Sequence, residues 1–357
     1  MRRIPWILAA GWGCGSSPPV EPAPASAEVT VTTPAGVTMC AGTRTWADAE
    51  VARVQAVTGL VPDFPLTVEL GVAAVARACG GDPEAGVRLG CAVGNGAQSQ
   101  AFAEPAAFAH ELSHALRRQY GLATVAVFEE GFAESVNGSD PYPSTVVLEA
   151  ADAEFDLASA VSNGADVVGA SSYRASTHFF RWLAERHGEE AVARFMTGGI
   201  DASPADAENR FAQAFGQDVV DAAEESAAPV GTVAFRGRLC REAVPLAASA
   251  TLDATVDCGA PDTYGLSGPG EPAWTRRCFS APSTTPFAVS LEGARGRVEL
   301  AVDPVDCAVP VDDPSRTPRV VRAGETMSWT LAGCAWAATF IVEEPESTSL
   351  ALRLSVP

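Results

Sequence analysis

The chain changes texture once, near Pro229, and that change limits what it can fold into. Before it, apolar residues recur at helical spacing. After it, short alternating runs such as Ala288–Leu291, Val298–Val302 and Leu350–Leu354 are separated by Gly, Pro and Asp. A period near 3.6 places apolar side chains along one face of a helix, and a period of two places them on one face of a sheet. The 357 residues therefore read as two units. An α+β unit over residues 39–228, mostly helical with a small sheet, precedes an all-β, sandwich-like unit over residues 229–357. With 47% hydrophobic residues, both can bury ordinary cores.

Within the first unit, the pattern predicts a helix near Trp46–Thr58, a strand at Leu66–Leu70, a helix at Val72–Ala78 and a strand at Val87–Val93. Further helices follow at Ser172–His187, with Ser172 as N-cap, at Glu189–Met196 and at Pro204–Phe215, where Ser203 is the N-cap and Pro204 the first helical residue. Thr232–Arg236 reads as the first strand beyond the break. Trp274, Trp329 and Trp336 read as core residues of the second unit.

The start of the chain, MRRIPWILAAGWGCGSSPP, has a basic pair, a short apolar run and then Cys14. It resembles a bacterial lipoprotein signal (residues 1–14), with Cys14 as the lipidated residue, although Gly11 stands where a leucine-like residue is usual. Residues 15–38, rich in Pro, Ser, Ala and Thr, read as a tether. The alternative is plain cleavage and secretion. Either way the chain is exported, and it meets a membrane only through a lipid on Cys14. The cysteines agree: nine in all, eight without Cys14, an even number suited to disulfides in an oxidising compartment. Three lie in the first unit and five in the second, so full pairing requires a bridge between the units; Cys79 with Cys91 is the local pair, leaving Cys40 to cross. A net charge of −20, with every basic residue an arginine, excludes an ordinary nucleic-acid binder.

Only four histidines occur, and two of them stand in AEPAAFAHELSHALRRQYG, residues 103–121. Pro105 near the start, Phe108, Leu112, Ala115 and Leu116 at helical spacing, and Gly121 at the end predict a helix. On it, His110 and His114 project one turn apart from the same face and can hold one metal ion, while Glu111 lies beside them as a general base. A catalytic zinc wants three protein ligands and an open position. Downstream, Val127–Ser135 reads VFEEGFAES. This pair of motifs resembles gluzincin-type metallopeptidases, in which the glutamate before the glycine of the second motif is the third ligand. That places it at Glu130, with Phe128 standing where the family has tryptophan. The likeness spans residues 60–225 in outline, and only the two motifs are specific.

The resemblance implies Zn2+ on His110, His114 and Glu130, and hydrolysis of a protein or peptide substrate with Glu111 as base. Tyr173 or His178, on a later helix similar to one in that family, is the candidate donor to the oxyanion. Glu134, one turn beyond Glu130, is the candidate to orient a ligand histidine. Glu129 reads as a solvated neighbour, and His187 as a helix-terminal residue favoured by the dipole. Val87–Val93 is the candidate edge strand for an extended peptide. The competing reading is a non-catalytic surface-binding or adhesion lipoprotein with a metallopeptidase-like domain.

Overall fold

A computed structural model describes residues 27–80, 89–138, 142, 155–165, 170–226, 240 and, with short interruptions, 243–355. Cys14, the tether before residue 27, Val87, Arg88, Thr232–Arg236, Cys307 and Cys334 lie outside the described residues.

The chain is a mixed α and β protein with two hydrophobic cores. The first part runs β1 (Val29–Thr32), β2 (Thr38–Met39), α1 (Ala41–Thr58), β3 (Leu66–Leu70), α2 (Val72–Ala78), β4 (Gly90–Val93) and β5 (Gln100–Ala103). A 3-10 turn at Pro105–Ala107 then leads into α3 (Phe108–Gln119). There follow α4 (Ala126–Val136), α5 (Leu157–Asn163), α6 (Ala170–His187), α7 (Glu189–Thr197), α8 (Pro204–Phe215) and α9 (Val219–Ser226). The sheet order is β1-β3-β5-β4. The first three strands are parallel; β4 is antiparallel to β5 and stands at the edge. Leu66, Val68 and Leu70 turn one face of β3 into the core, while Thr67 between them is exposed. Phe108, Leu112, Ala115 and Leu116 give α3 its buried stripe.

Local signals act as expected at α8, where the Ser203 hydroxyl accepts from the Asp206 amide and Gly216 closes the helix in the left-handed region. Three expectations change, the first at the tether read over residues 15–38: Val29–Thr32 within it pair with β3 as strand β1 of the first sheet. Helix α6 already includes Ala170 and Ser171, so Ser172 is an interior, buried residue rather than its N-cap. His187 ends α6 in its last turn, as expected; its ring lies 4.9 Å from that of Phe215, and burial and the neighbouring Arg186 push its pKa below the ordinary value. Glu129 is not solvated; it holds a buried arginine, as described below.

The second part contains β6 (Val244–Pro245), β7 (Ser249–Val256), β8 (Tyr264–Gly268), β9 (Glu271–Ser280), β10 (Thr285–Glu292), β11 (Arg297–Val302), β12 (Arg319–Arg322), β13 (Thr326–Leu331), β14 (Ala335–Val342) and β15 (Thr348–Ser355). One sheet is ordered β13-β10-β15-β7; the other is ordered β12-β11-β14-β9-β8-β2, with β6 beside β9. Their facing side chains, Phe279, Phe287, Trp336, Phe340 and Leu352 among them, form the second core. Trp329 packs at its margin, whereas Trp274 packs against the helical core.

The two parts are joined at several levels. Strand β2 belongs to the second part's sheet through β8. The first amides of α1 are satisfied from across the junction: Ala41 donates to the Cys258 carbonyl and Gly42 to that of Thr263. A Cβ at position 42 would sit 2.6 Å from the Thr263 carbonyl oxygen, so glycine allows this approach. The Gly265 amide donates to both Thr43 Oγ1 and Tyr142 Oη, 2.7 Å from each. Glu271 Oε1 accepts from the Val72 amide at the start of α2, at 2.7 Å. Three disulfides form among the described cysteines: the local Cys79–Cys91 bridge, the junction-crossing Cys40–Cys258, and Cys240–Cys278 in the second part. They fit an oxidising, exported environment. No described helix is long and apolar enough to cross a membrane.

Candidate metal centre

Three elements build the centre. Helix α3 lies against β3, β4 and β5 and presents His110 and His114 one turn apart, their Nε2 atoms 3.1 Å from each other. Helix α4 brings Glu130, whose Oε2 is 3.1 Å from His110 Nε2 and whose Oε1 is 3.5 Å from His114 Nε2. Helix α6 closes the third side and places the Tyr173 ring 6.2 Å from that of His110. The approach of α6 depends on Gly131: a Cβ there would lie 2.7 Å from the Ser176 carbonyl oxygen and 2.8 Å from Phe180. This is the physical reason for the glycine after Glu130 in the second motif.

The three side chains each offer one ligand atom, all within 4.8 Å of one another. Their separations of 3.1, 3.1 and 3.5 Å suit a single small cation: tetrahedral bonds of about 2.0–2.1 Å put neighbouring ligand atoms about 3.3 Å apart. The remaining ring nitrogen of His110, Nδ1, donates to Glu134 Oε2 at 3.0 Å. That leaves the Nε2 lone pair facing the centre. Glu134 is itself held by the Asn137 amide, 3.2 Å from Oε2, and the same amide reaches the Ala106 carbonyl. Asn137 was invisible to motif reasoning, because its role depends on where α4 ends.

Electrostatics follow from burial and closeness. Burial alone would lower the His110 pKa, but hydrogen bonds to Glu130 and Glu134 outweigh it and raise the value well above normal. Burial likewise opposes ionisation of Glu130, yet the hydrogen bonds from both histidines hold its carboxyl far below the usual range. Charge here favours a cation in the centre, whether protons or a metal ion. Glu111 is 6% exposed and is pushed up by burial, with His110 and His114 pulling the other way. Its carboxylate lies against the edge strand: a Cβ on Gly90 would meet Glu111 Cγ at 2.5 Å and Oε1 at 2.8 Å. The Tyr173 phenol hydrogen-bonds to Glu130; burial and then that carboxylate raise its pKa, so it stays a donor.

His178 does not share this neighbourhood. Its Nε2 lies 2.8 Å from the Ser226 carbonyl oxygen, where it pairs α6 with the end of α9. Glu129, on the opposite side of His114, makes a bidentate pair with Arg117. A metal ion can thus be held by a His-His-Glu set, with Glu111 and Tyr173 bordering it.

No protein family matches this chain, and no curated protein matches it. Solved structures give only coarse likenesses. One is a family GH115 4-O-methyl-alpha-glucuronidase with specificity for decorated arabinogalactans, at TM-score 0.18 and 11% identity, covering 56% of this chain and 32% of that one. Another is Fe(II) HppE, at TM-score 0.15 and 11% identity, covering 49% and 95%. A third is Streptomyces albus HEPD with 2-hydroxyethylphosphonate and Fe(II), at TM-score 0.09 and 13% identity, covering 50% and 38%. The chain spans about a third of the glucuronidase's length, and likeness at these TM-scores does not establish a shared fold.

Proposed function

We propose that the protein is an exported zinc-dependent peptidase of gluzincin type, tethered to the cell envelope through a lipid on Cys14. The observation that carries the reading is the triangle of His110, His114 and Glu130 with Glu111 packed between it and the edge strand. His110, His114 and Glu130 would hold the ion. A bound Zn2+ supplies Lewis acidity, which lowers the pKa of water and polarises a peptide carbonyl. Glu111, buried and close to the site, accepts a proton from the attacking water and passes it to the leaving amine. Tyr173, kept protonated, donates to the developing oxyanion. Strand β4, antiparallel at the edge of its sheet, offers backbone groups to an extended substrate. Gly90 leaves Glu111 room beside that edge. A catalytic rather than purely structural ion fits a set of three protein ligands, because structural zinc takes four.

The test is peptide hydrolysis by the purified chain, wild type against Glu111→Gln, with metal measured in the same samples. The expected outcome is about one zinc per chain in both and a loss of about 100-fold or more in the variant. Undiminished hydrolysis by Glu111→Gln, or a folded wild type that takes up no metal, overturns the proposal.

A further inference from the structure

His110 and His114 are supported differently. His110 Nδ1 has the Glu134 carboxylate at hydrogen-bond distance. On the other ring, His114 Nδ1 faces Glu129 Oε2 at 3.8 Å. Glu129 is fixed from two further sides. Arg117 donates from Nε to Oε2 at 3.0 Å and from Nη2 to Oε1 at 2.8 Å. The Thr124 amide donates to Oε1 at 3.0 Å. Arg117 is 1% exposed, and its remaining Nη1 donates to the Met196 carbonyl near the end of α7. One arginine thus ties the helix carrying both histidines to the helix carrying Glu130, and both of these to α7.

A buried guanidinium is costly without a matched acceptor set, and a bidentate carboxylate is the acceptor that fixes a plane as well as a distance. Here that plane turns one carboxylate oxygen toward the ring nitrogen of His114 that does not face the metal centre. Negative charge on that side favours the tautomer with its proton on Nδ1, leaving Nε2 free to bind the ion.

We infer that Glu129, locked by Arg117, is the positioning residue of His114, the counterpart of Glu134 for His110. The inference rests on the metal reading above. It adds that the centre depends on two carboxylate supports, one steered by Asn137 and the other by a buried arginine.

The test is Zn2+ affinity of the full chain, measured by competition with a chromophoric chelator, for wild type, E129Q and the doubly neutral R117M/E129M. Unfolding temperatures of the metal-free proteins and the visible spectra of the Co2+-loaded ones are recorded alongside. Positioning predicts Zn2+ binding about 10- to 100-fold weaker in both variants, and a shifted Co2+ spectrum. R117M/E129M, which leaves no charge uncompensated, keeps a metal-free unfolding temperature near that of the wild type. Wild-type affinity in a folded R117M/E129M shows that the pair only packs α3 against α4 and α7, and overturns the inference. Should R117M/E129M not fold, unchanged affinity in E129Q overturns it equally. A wild type that takes up no Zn2+ overturns the metal reading and this inference with it, which separates the two failures.

Discussion

Glu111 shows how burial sets a residue's working range. Its pKa is raised above the ordinary 4.5, first by desolvation, with His110 and His114 partly offsetting it. In the proposed mechanism it must be ionised to act as base, so hydrolysis should be absent at low pH and appear as pH rises through the raised value. The acid limb of the kcat/KM profile should therefore lie above 4.5 and disappear into the residual rate in Glu111→Gln. Survival of the same limb in Glu111→Gln would contradict this placement. Tyr173 acts in the opposite sense: burial and the nearby carboxylates keep its phenol protonated, so it loses no donor capacity in the same range.

The packing of α4 on α6 is what brings Tyr173 near Glu130, and it depends on the missing side chain at Gly131. Gly131→Ala should gain helix propensity and lose more by overpacking, for a net destabilisation of about 1–2 kcal/mol. Because Ser176 and Phe180 must move, Tyr173 should withdraw from Glu130, and turnover should fall more than metal content does. Thermal unfolding together with metal analysis checks both halves. A neutral Gly131→Ala would show that α6 has slack at this crossing. Gly90 has the same part on the strand side, where a Cβ would push on Glu111 and on the Phe102 carbonyl at once.

At the scale of the whole molecule, the β-rich part completes the helical part rather than trailing from it. Leu266 is in the helical core, Tyr264 and Trp274 pack against it, and the amides of α1 end on carbonyls from beyond the junction. Removing residues 240–357 would expose that surface and leave Cys40 unpaired, so the truncated chain should aggregate instead of retaining activity. A milder test is the double replacement of Cys40 and Cys258 by serine. Their bridge closes a separation of 218 residues, and its loss should cost about 2–5 kcal/mol in stability. Denaturant unfolding, with the local Cys79–Cys91 bridge left intact, measures it. An unchanged midpoint would mean that the noncovalent junction alone suffices.

The sequence by itself determined the mixed α and β class, the elements β3, α2 and α8 to the residue, the helical stripe of α3, and the need for a disulfide between the halves if all eight cysteines pair. Each follows from short-range signals: periodicity of two or 3.6, a Ser-Pro helix start, cysteine parity. That Cys258 is the partner of Cys40 was decided by the fold. The sequence also put His110 and His114 on one face, because residues four apart on a helix must share it. Glu130 came from the likeness of the second motif to a known family, and the close crossing at its glycine is visible only in the structure. Tertiary structure alone decided the rest. It turned His178 toward Ser226, drew Glu129 under His114 by way of Arg117, set Asn137 behind Glu134, and put Gly90 against Glu111. None of these follows from spacing, because each depends on which faces of separate elements meet once the cores are packed. A carboxylate on a helix reads as solvated until the buried cation that claims it is known.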